Sequence, residues 1–422
     1  FAEEVVTTAG TVAAYNNGQA TFSISGATNP AAPAVTENLI ASVATADPDG
    51  NGSGPFSYTW ESYNGSSWVA LGTGSGYTVK AADEGKQIRL RANYTDGQAF
   101  AEEVVTTAGT VAAYNNGKAV FRINGNGTGT ETQNLTCIID QLDPDGMIKY
   151  PPSSTNGYTY QWQVSSDGLS WSGATGNGAN TFKYAVNLTT DSSKFLRVQV
   201  SYLDDKGFAE TVYTDSAKIV AGSNKNDNFT GTSGVEVTYS GSGADAVATG
   251  AGNDFAKGGI GNDTFNGTDG DGDDFFDGQT EIDTLNYSSS TKSVAIDFVT
   301  GRATGASGGI GNDSFAGIEN ARGGSGDDTF NGDALVNTFT GSGGIDTFRF
   351  MNAQAFGAST SDHIADMSSV DKIQISAAAF GISGSYNSLF VSVSGTKAVN
   401  ASSALIVYDT GSGYLYLNKD GA

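Results

Sequence analysis

Carboxylates recur at the sixth place of a nine-residue, glycine-rich frame. Written in nines, residues 222–266 read GSNKNDNFT, GTSGVEVTY, SGSGADAVA, TGAGNDFAK and GGIGNDTFN. The sixth place holds Asp227, Glu236, Asp245, Asp254 and Asp263, and the eighth holds Phe229, Thr238, Val247, Ala256 and Phe265. Glycines permit left-handed turns and let the turn carbonyls converge. The acid adds carboxylate oxygens. One turn and the next turn on the same side then offer several carbonyls and two carboxylates. An all-oxygen set of this kind suits a hard cation with six to eight ligands at about 2.3–2.6 Å, calcium rather than magnesium. Zinc or copper would want imidazole or thiolate, and the chain has only His363 and Cys137 to offer. The frame returns over about 305–349, as GGIGNDSFA at 308–316 and then, in nines from 323, as GGSGDDTFN, GDALVNTFT and GSGGIDTFR.

Other acidic motifs are less specific. DPDG occurs at 47–50 and again at 143–146. Asp47 with Asp49, and Asp143 with Asp145, could form calcium loops, with Glu37 and Asp96 as further candidate donors. The same letters also make a tight turn. Glu3/Glu4 and Glu102/Glu103 look like carboxylate dyads, but successive strand residues face opposite ways, so edge charges are expected. A single histidine excludes a His-Glu-x-x-His zinc site, and a lone cysteine excludes an intrachain disulfide. With no catalytic constellation, the chain is not expected to be an enzyme.

The elements that must carry the frame follow from its register. Six residues of turn and three of strand make half a coil, and two units close one coil of about 18 residues in a parallel β-roll. The eighth-place side chain points inward and stacks on its counterpart one coil away. Upstream, FAEEVVTTAGTVAAYNNG at 1–18 recurs unchanged at 100–117, and a decayed copy begins at Phe208. Between copies, Trp60 answers Trp162 and Trp68 answers Trp171. Alternating runs such as IRLRANY, separated by DPDG and NNG turns, predict β-sandwiches with a core tryptophan. The expected organisation is a last strand of a preceding repeat at 1–15 and sandwiches at 16–113 and 114–221. A roll at 222–349 follows, interrupted at about 279–305 by wider coils or a hairpin, and a cap at 350–422 ends the chain. The fold class is all-β.

Composition narrows the partners. The chain holds 45 Asp+Glu against 21 Lys+Arg, for a formal charge of −24. That surface repels nucleic acid and anionic membranes, and no apolar run approaches the roughly 20 residues of a membrane span. The opening FAEEVVTTAG has no basic or apolar leader, so a cleavable signal peptide is not expected. It reads as the end of a repeat, which predicts a longer parent protein. The 58 glycines are accompanied by 22 Phe and 18 Tyr, ample core material for a folded chain.

The nine-residue frame resembles the G-G-x-G-x-D-x-U-x calcium repeat of RTX (haemolysin-type) proteins, completely so in GGIGNDTFN and GGSGDDTFN. The resemblance implies Ca2+ ligation, several ions in all, by Asp227, Asp245, Asp254, Asp263 and Asp274 in the first block and Asp313, Asp328 and Asp346 in the second. Glu236 and Asn337 fill acid places without being aspartate. The sandwiches resemble tandem bacterial immunoglobulin-like repeats. The segment 350–422 resembles the C-terminal cap of RTX-type secreted proteins, serralysin-like proteases among them, though no metalloprotease motif precedes it. These resemblances imply type I export and a place outside the cell or on its surface. The expected function is a secreted structural protein that self-associates, with calcium, into a surface layer, sheath or filament. The alternatives are a repeat adhesin stalk, for which a cell-surface polysaccharide is a candidate ligand, and the non-catalytic C-terminal part of a larger secreted enzyme.

Overall fold

The computed structural model describes residue 10 and residues 13–125, 134–147, 157–351, 362–380, 390–394, 406–411 and 415–417. The strand expected at 1–15, with Glu3 and Glu4, lies almost wholly outside them. The chain divides into two compact units, Phe1–Gly117 and Lys118–Ala422. No helix among the described residues is long and apolar enough to cross a membrane.

The first unit is a sandwich of two antiparallel sheets. Thr21–Ser25, Asn38–Thr45 and Gly76–Thr78 form one sheet; Trp68–Thr73, Ser57–Tyr63, Gln87–Thr95 and Ala101–Thr110 form the other. Alternation in Gln87–Thr95 sends Ile88, Leu90, Ala92 and Tyr94 inward. Trp60 is fully buried, stacked on Tyr77, and its indole N–H donates to the Gly74 carbonyl at 3.0 Å. Trp68 lies outside that core under the Arg89 guanidinium, 4.0 Å from the ring centroid, which makes it a strand-packing residue.

The second unit opens with the same arrangement. Val120–Asn124, Asn134–Gln141 and Lys183–Ala185 face a sheet built from Ser172–Gly173, Thr159–Ser165, Phe195–Leu203 and Ala209–Tyr213. Trp162 is buried against Tyr184, and Trp171 lies under Arg197. The expected boundary at 221/222 is not a break in this sheet. Ala217–Ala221 pairs antiparallel with Phe195–Leu203 on one side and parallel with Val235–Ser242 on the other. Val237, Tyr239, Phe255 and Phe275 accordingly share one core with Trp162 and Val198.

From there the chain coils between two parallel sheets. Asn228–Thr230, Ala246–Ala248, Thr264–Asn266 and Thr284–Asn286 stack in one; Val235–Ser242, Phe255–Ile260 and Phe275–Thr280 stack in the other. The eighth-place side chains fill the interior as expected: Val247, Ala256, Phe265, Phe330, Phe339 and Phe348 are all at most 1 % exposed. Phe330 stacks on Phe348 at 5.3 Å. Such a core is a ladder of single side chains, one per half-coil.

The interruption is narrower than expected. Residues 278–286, GQTEIDTLN, are a regular half-coil with Leu285 buried in the interior. The inserted element is the hairpin of Val294–Asp297 and Arg302–Gly305. It is laid into one sheet in the order Phe275–Thr280, Asn312–Ala316, Arg302–Gly305, Val294–Asp297, Thr329–Asn331. In the facing sheet Thr284–Asn286, Asn320–Arg322 and Thr338–Thr340 stay adjacent. The ladders also continue past residue 349, through His363–Ile364 and Lys372–Ile375. Of the expected cap, Phe390–Val393, Ile406–Asp409 and Leu415–Leu417 form a small sheet, and most of the rest lies outside the described residues.

Candidate metal centre

The sixth-place acids form two columns, one at the head of each sheet. In the first, the Asp227 amide donates to Asp245 Oδ1 (2.7 Å), the Asp245 amide to Asp263 Oδ1 (2.8 Å), and the Asp263 amide to Asp283 Oδ1 (2.7 Å). The Asp283 amide then donates to Glu319 Oε2. In the second, the Glu236 amide donates to Asp254 Oδ1, the Asp254 amide to Asp274 Oδ1 and the Asp274 amide to Asp313 Oδ1. Beyond the hairpin, the Val294 amide donates to Asp328 Oδ1 and the Asp328 amide to Asp346 Oδ1. From Asp245 and Asp254 onward, one oxygen of each carboxylate thus ties its coil to the coil before.

In Asp263, Asp283, Asp328 and Asp346 the other oxygen turns back into its own turn, against the first glycine of the frame. A Cβ on Gly258 would stand 2.1 Å from Asp263 Oδ2, and one on Gly278 would stand 2.2 Å from Asp283 Oδ2. Gly323 and Gly341 meet Asp328 and Asp346 in the same way. The first-place glycine is there to make room for the acid five residues later.

Several second oxygens of the columns are buried and unsatisfied. Asp245, Asp254, Asp263 and Asp283 are at most 2 % exposed, and their Oδ2 atoms accept no hydrogen bond. Asp271 Oδ1 is in the same condition. Buried charges are ordinarily paired or coordinate a metal. Burial pushes the Asp254 carboxyl up to about 8, Asp283 up to about 7, and Asp263 and Asp271 up to about 6. Unpartnered carboxylate oxygens among glycine turns fit a hard divalent cation such as calcium. Bound there, the ion would supply the positive charge that lets these acids stay ionised inside the fold.

The eight expected ligands do not behave alike. Asp245, Asp254 and Asp263 each keep an unpartnered buried oxygen. Asp274 receives the Thr249 hydroxyl at 2.7 Å and Asp328 the Gly324 amide at 2.8 Å on their second oxygens. Asp346 holds the same register, its Oδ2 against Gly341. Asp313 is closed off by the Tyr287 hydroxyl, which donates to Oδ2 at 2.6 Å. Asp227 is half-buried, and the Ser223 hydroxyl and amide hold its carboxyl below the usual range. Asp283 and Asp271 were not among the expected ligands. Asp283 opens DTLN, the counterpart of DTFN at 263–266 and 328–331, and that spacing could have found it. Of the other singled-out acids, Glu37 accepts the Thr28 and Ala34 amides within its own loop, and Glu102 is buried while Glu103 faces solvent.

The metal-free roll should be most stable in acid. Carboxyls that burial pushes up to about 6 to 8 in the fold, from about 3.9 when unfolded, take up protons on folding. Their contribution is fully present below the unfolded value and is lost as pH rises through 6 to 8. Far-UV circular dichroism in calcium-free buffer should show strand signal falling between pH 4 and pH 8. A flat or rising signal would contradict the burial of unpaired carboxylates.

Residues 275–420 match the family model described as Peptidase M10 serralysin C terminal. None of the curated proteins matches the chain. The part of the chain from the strand Phe275–Thr280 onward is therefore similar to the serralysin C-terminal domain, an RTX-type, calcium-binding β-roll region of extracellular proteins exported by type I systems.

Proposed function

We propose that this chain is the non-catalytic, calcium-folded part of a larger secreted protein. The observation that carries the reading is the buried second oxygen of each of Asp245, Asp254, Asp263 and Asp283 in the two carboxylate columns, which has no hydrogen-bond partner. At low cytosolic calcium, ionised acids in those columns oppose closure of the coils, so the chain stays unfolded and can be threaded through an exporter. Outside, calcium binds only the closed form and stabilises it by mass action. Asp245, Asp254, Asp263 and Asp283 are the ligands this reading relies on. The sandwiches then act as spacers ahead of the roll. This reading takes precedence over assembly into a surface layer, sheath or filament, because the matched region is a secretion-linked module and the site geometry speaks of cation-dependent folding.

The test is export through a type I system into media with and without millimolar calcium. The chain should reach both media and resist trypsin within the roll only where calcium is present. Equal resistance in calcium-free medium would remove the reading.

A further inference from the structure

The two DPDG corners do more than turn the chain. In the first sandwich the turn is closed by the Gly50 amide on the Asp47 carbonyl (2.9 Å) and docks through the Gly97 amide onto the Gly50 carbonyl (2.8 Å). This brings Asp96, from the far end of Gln87–Thr95, to Asp47 and Asp49. Carboxylate oxygens of all three lie within 4.8 Å of one another. Oxygens bound to one calcium at about 2.3–2.6 Å lie at most about 5 Å apart, so one ion can reach all three.

A tight turn accounts for Asp47 and Asp49 but not for Asp96. Asp96 is 3 % exposed; its Oδ1 accepts the Gln98 and Phe100 amides, and its Oδ2 is buried with no hydrogen-bond partner. Asp47 is equally buried and fixed in place, with Oδ1 on the Asp49 amide and Oδ2 receiving the Tyr94 hydroxyl. Asn17 donates to both oxygens of Asp49. Among the described residues of this unit, the arginine ion pairs fall on Glu61 and Glu103, none on the cluster.

The second sandwich repeats the corner with one change. Asp143, Asp145 and Asp204 converge within the same 4.8 Å. The Tyr202 hydroxyl holds Asp143, and the Lys206 and Phe208 amides hold Asp204 Oδ1. Here, however, Lys206 stands where the first sandwich has Gln98, and its ammonium lies 2.7 Å from Asp145 Oδ1.

We propose that Asp47, Asp49 and Asp96 bind one calcium ion in the first sandwich. In the second, the Lys206 ammonium takes over one of the three carboxylates, and the site is weakened at least tenfold. Loop carbonyls and water complete the ion's shell. The proposal stands apart from the roll, whose aspartates it does not use.

Native mass spectrometry of the full chain, titrated with calcium, counts the ions directly. Asp96→Asn, which keeps the oxygen that accepts the Gln98 and Phe100 amides, should bind one ion fewer than the unaltered chain. Gln98→Lys should lower the count by one at the same calcium concentration, and Lys206→Gln should raise it by one. Asp263→Asn, in the roll, reports separately on the roll sites. An unchanged count in both Asp96→Asn and Gln98→Lys would overturn the site. An unchanged count in Lys206→Gln across the titration would overturn the role of the lysine.

Discussion

Chelating calcium with EGTA at neutral pH should unfold the roll between Asn228 and Phe350 while the strands of the first unit stay protected. The strands of the roll are mostly three or four residues long, and each half-coil contributes about one inward side chain to the core. Against that thin core stand buried carboxylates that burial pushes up to about 6 to 8, so at pH 7.5 opening the fold lets them ionise in water without the cost of burial. A cation bound only to the folded form adds about 2.7 kcal/mol per site at a hundredfold excess over its Kd. Four such sites reach the whole stability of an ordinary domain, about 5–15 kcal/mol. The unfolding should spread in one direction. Ala217–Ala221 and Phe195–Leu203 share a sheet and a core with the first coils, so their amides should exchange faster once the roll opens. Those of Gln87–Thr95, in a separate core, should not. Peptide-resolved hydrogen exchange with and without calcium decides this. Equal protection of Thr264–Asn266 in both conditions would mean that packing alone holds the roll.

Much of this architecture was legible because the roll is periodic and local. The sixth and eighth places identify the column acids other than Asp283 and Glu319, and side chains of the interior from Val247 to Phe348. What escaped was set by contacts between coils. GQTEIDTLN was hidden because Gln279 and Glu281 stand where the frame has glycine, yet both adopt the left-handed backbone, at φ 74° and 78°. A non-glycine residue there is strained by roughly 1–2 kcal/mol, and the neighbouring coils hold it there. The hairpin was one of two readings of 279–305, but its place is a non-local choice that no periodicity encodes: Val294–Asp297 pairs forward with Thr329–Asn331. The continuous sheet at Ala217–Ala221 is similar. An edge strand offers unpaired backbone groups to any neighbour, and its own residues do not say which neighbour comes. Asp96 was named as a donor without a position, since only the docking of two turns across the sandwich brings it to Asp47.

Asp263 and Asp313 occupy the same place in GGIGNDTFN and GGIGNDSFA, and their amide variants should shift calcium dependence in opposite directions. Two effects compete in each. Removing a buried carboxylate relieves the metal-free fold, because burial disfavours the ionised acid. Removing a ligand weakens the calcium-bound fold by as much as one site supplies, about 2.7 kcal/mol at a hundredfold excess over Kd. In Asp263→Asn the Asp245 amide still finds an acceptor, but the oxygen lying against Gly258 with no protein partner becomes an amide nitrogen that cannot bind a cation. The ligand effect wins, so the calcium needed for half-folding should rise several-fold, with one ion fewer bound. In Asp313 both oxygens are already used, by the Asp274 amide and the Tyr287 hydroxyl, and burial holds the carboxyl up at about 8. There the charge effect is left alone: Asp313→Asn should fold at lower calcium and bind the same number of ions. Calcium titrations followed by circular dichroism give the midpoints, and native mass spectrometry gives the counts. If Asp263→Asn also folded at lower calcium, its carboxylate would be a buried charge and not a ligand. If Asp313→Asn lost an ion, the cation would have to displace the Tyr287 hydroxyl on binding.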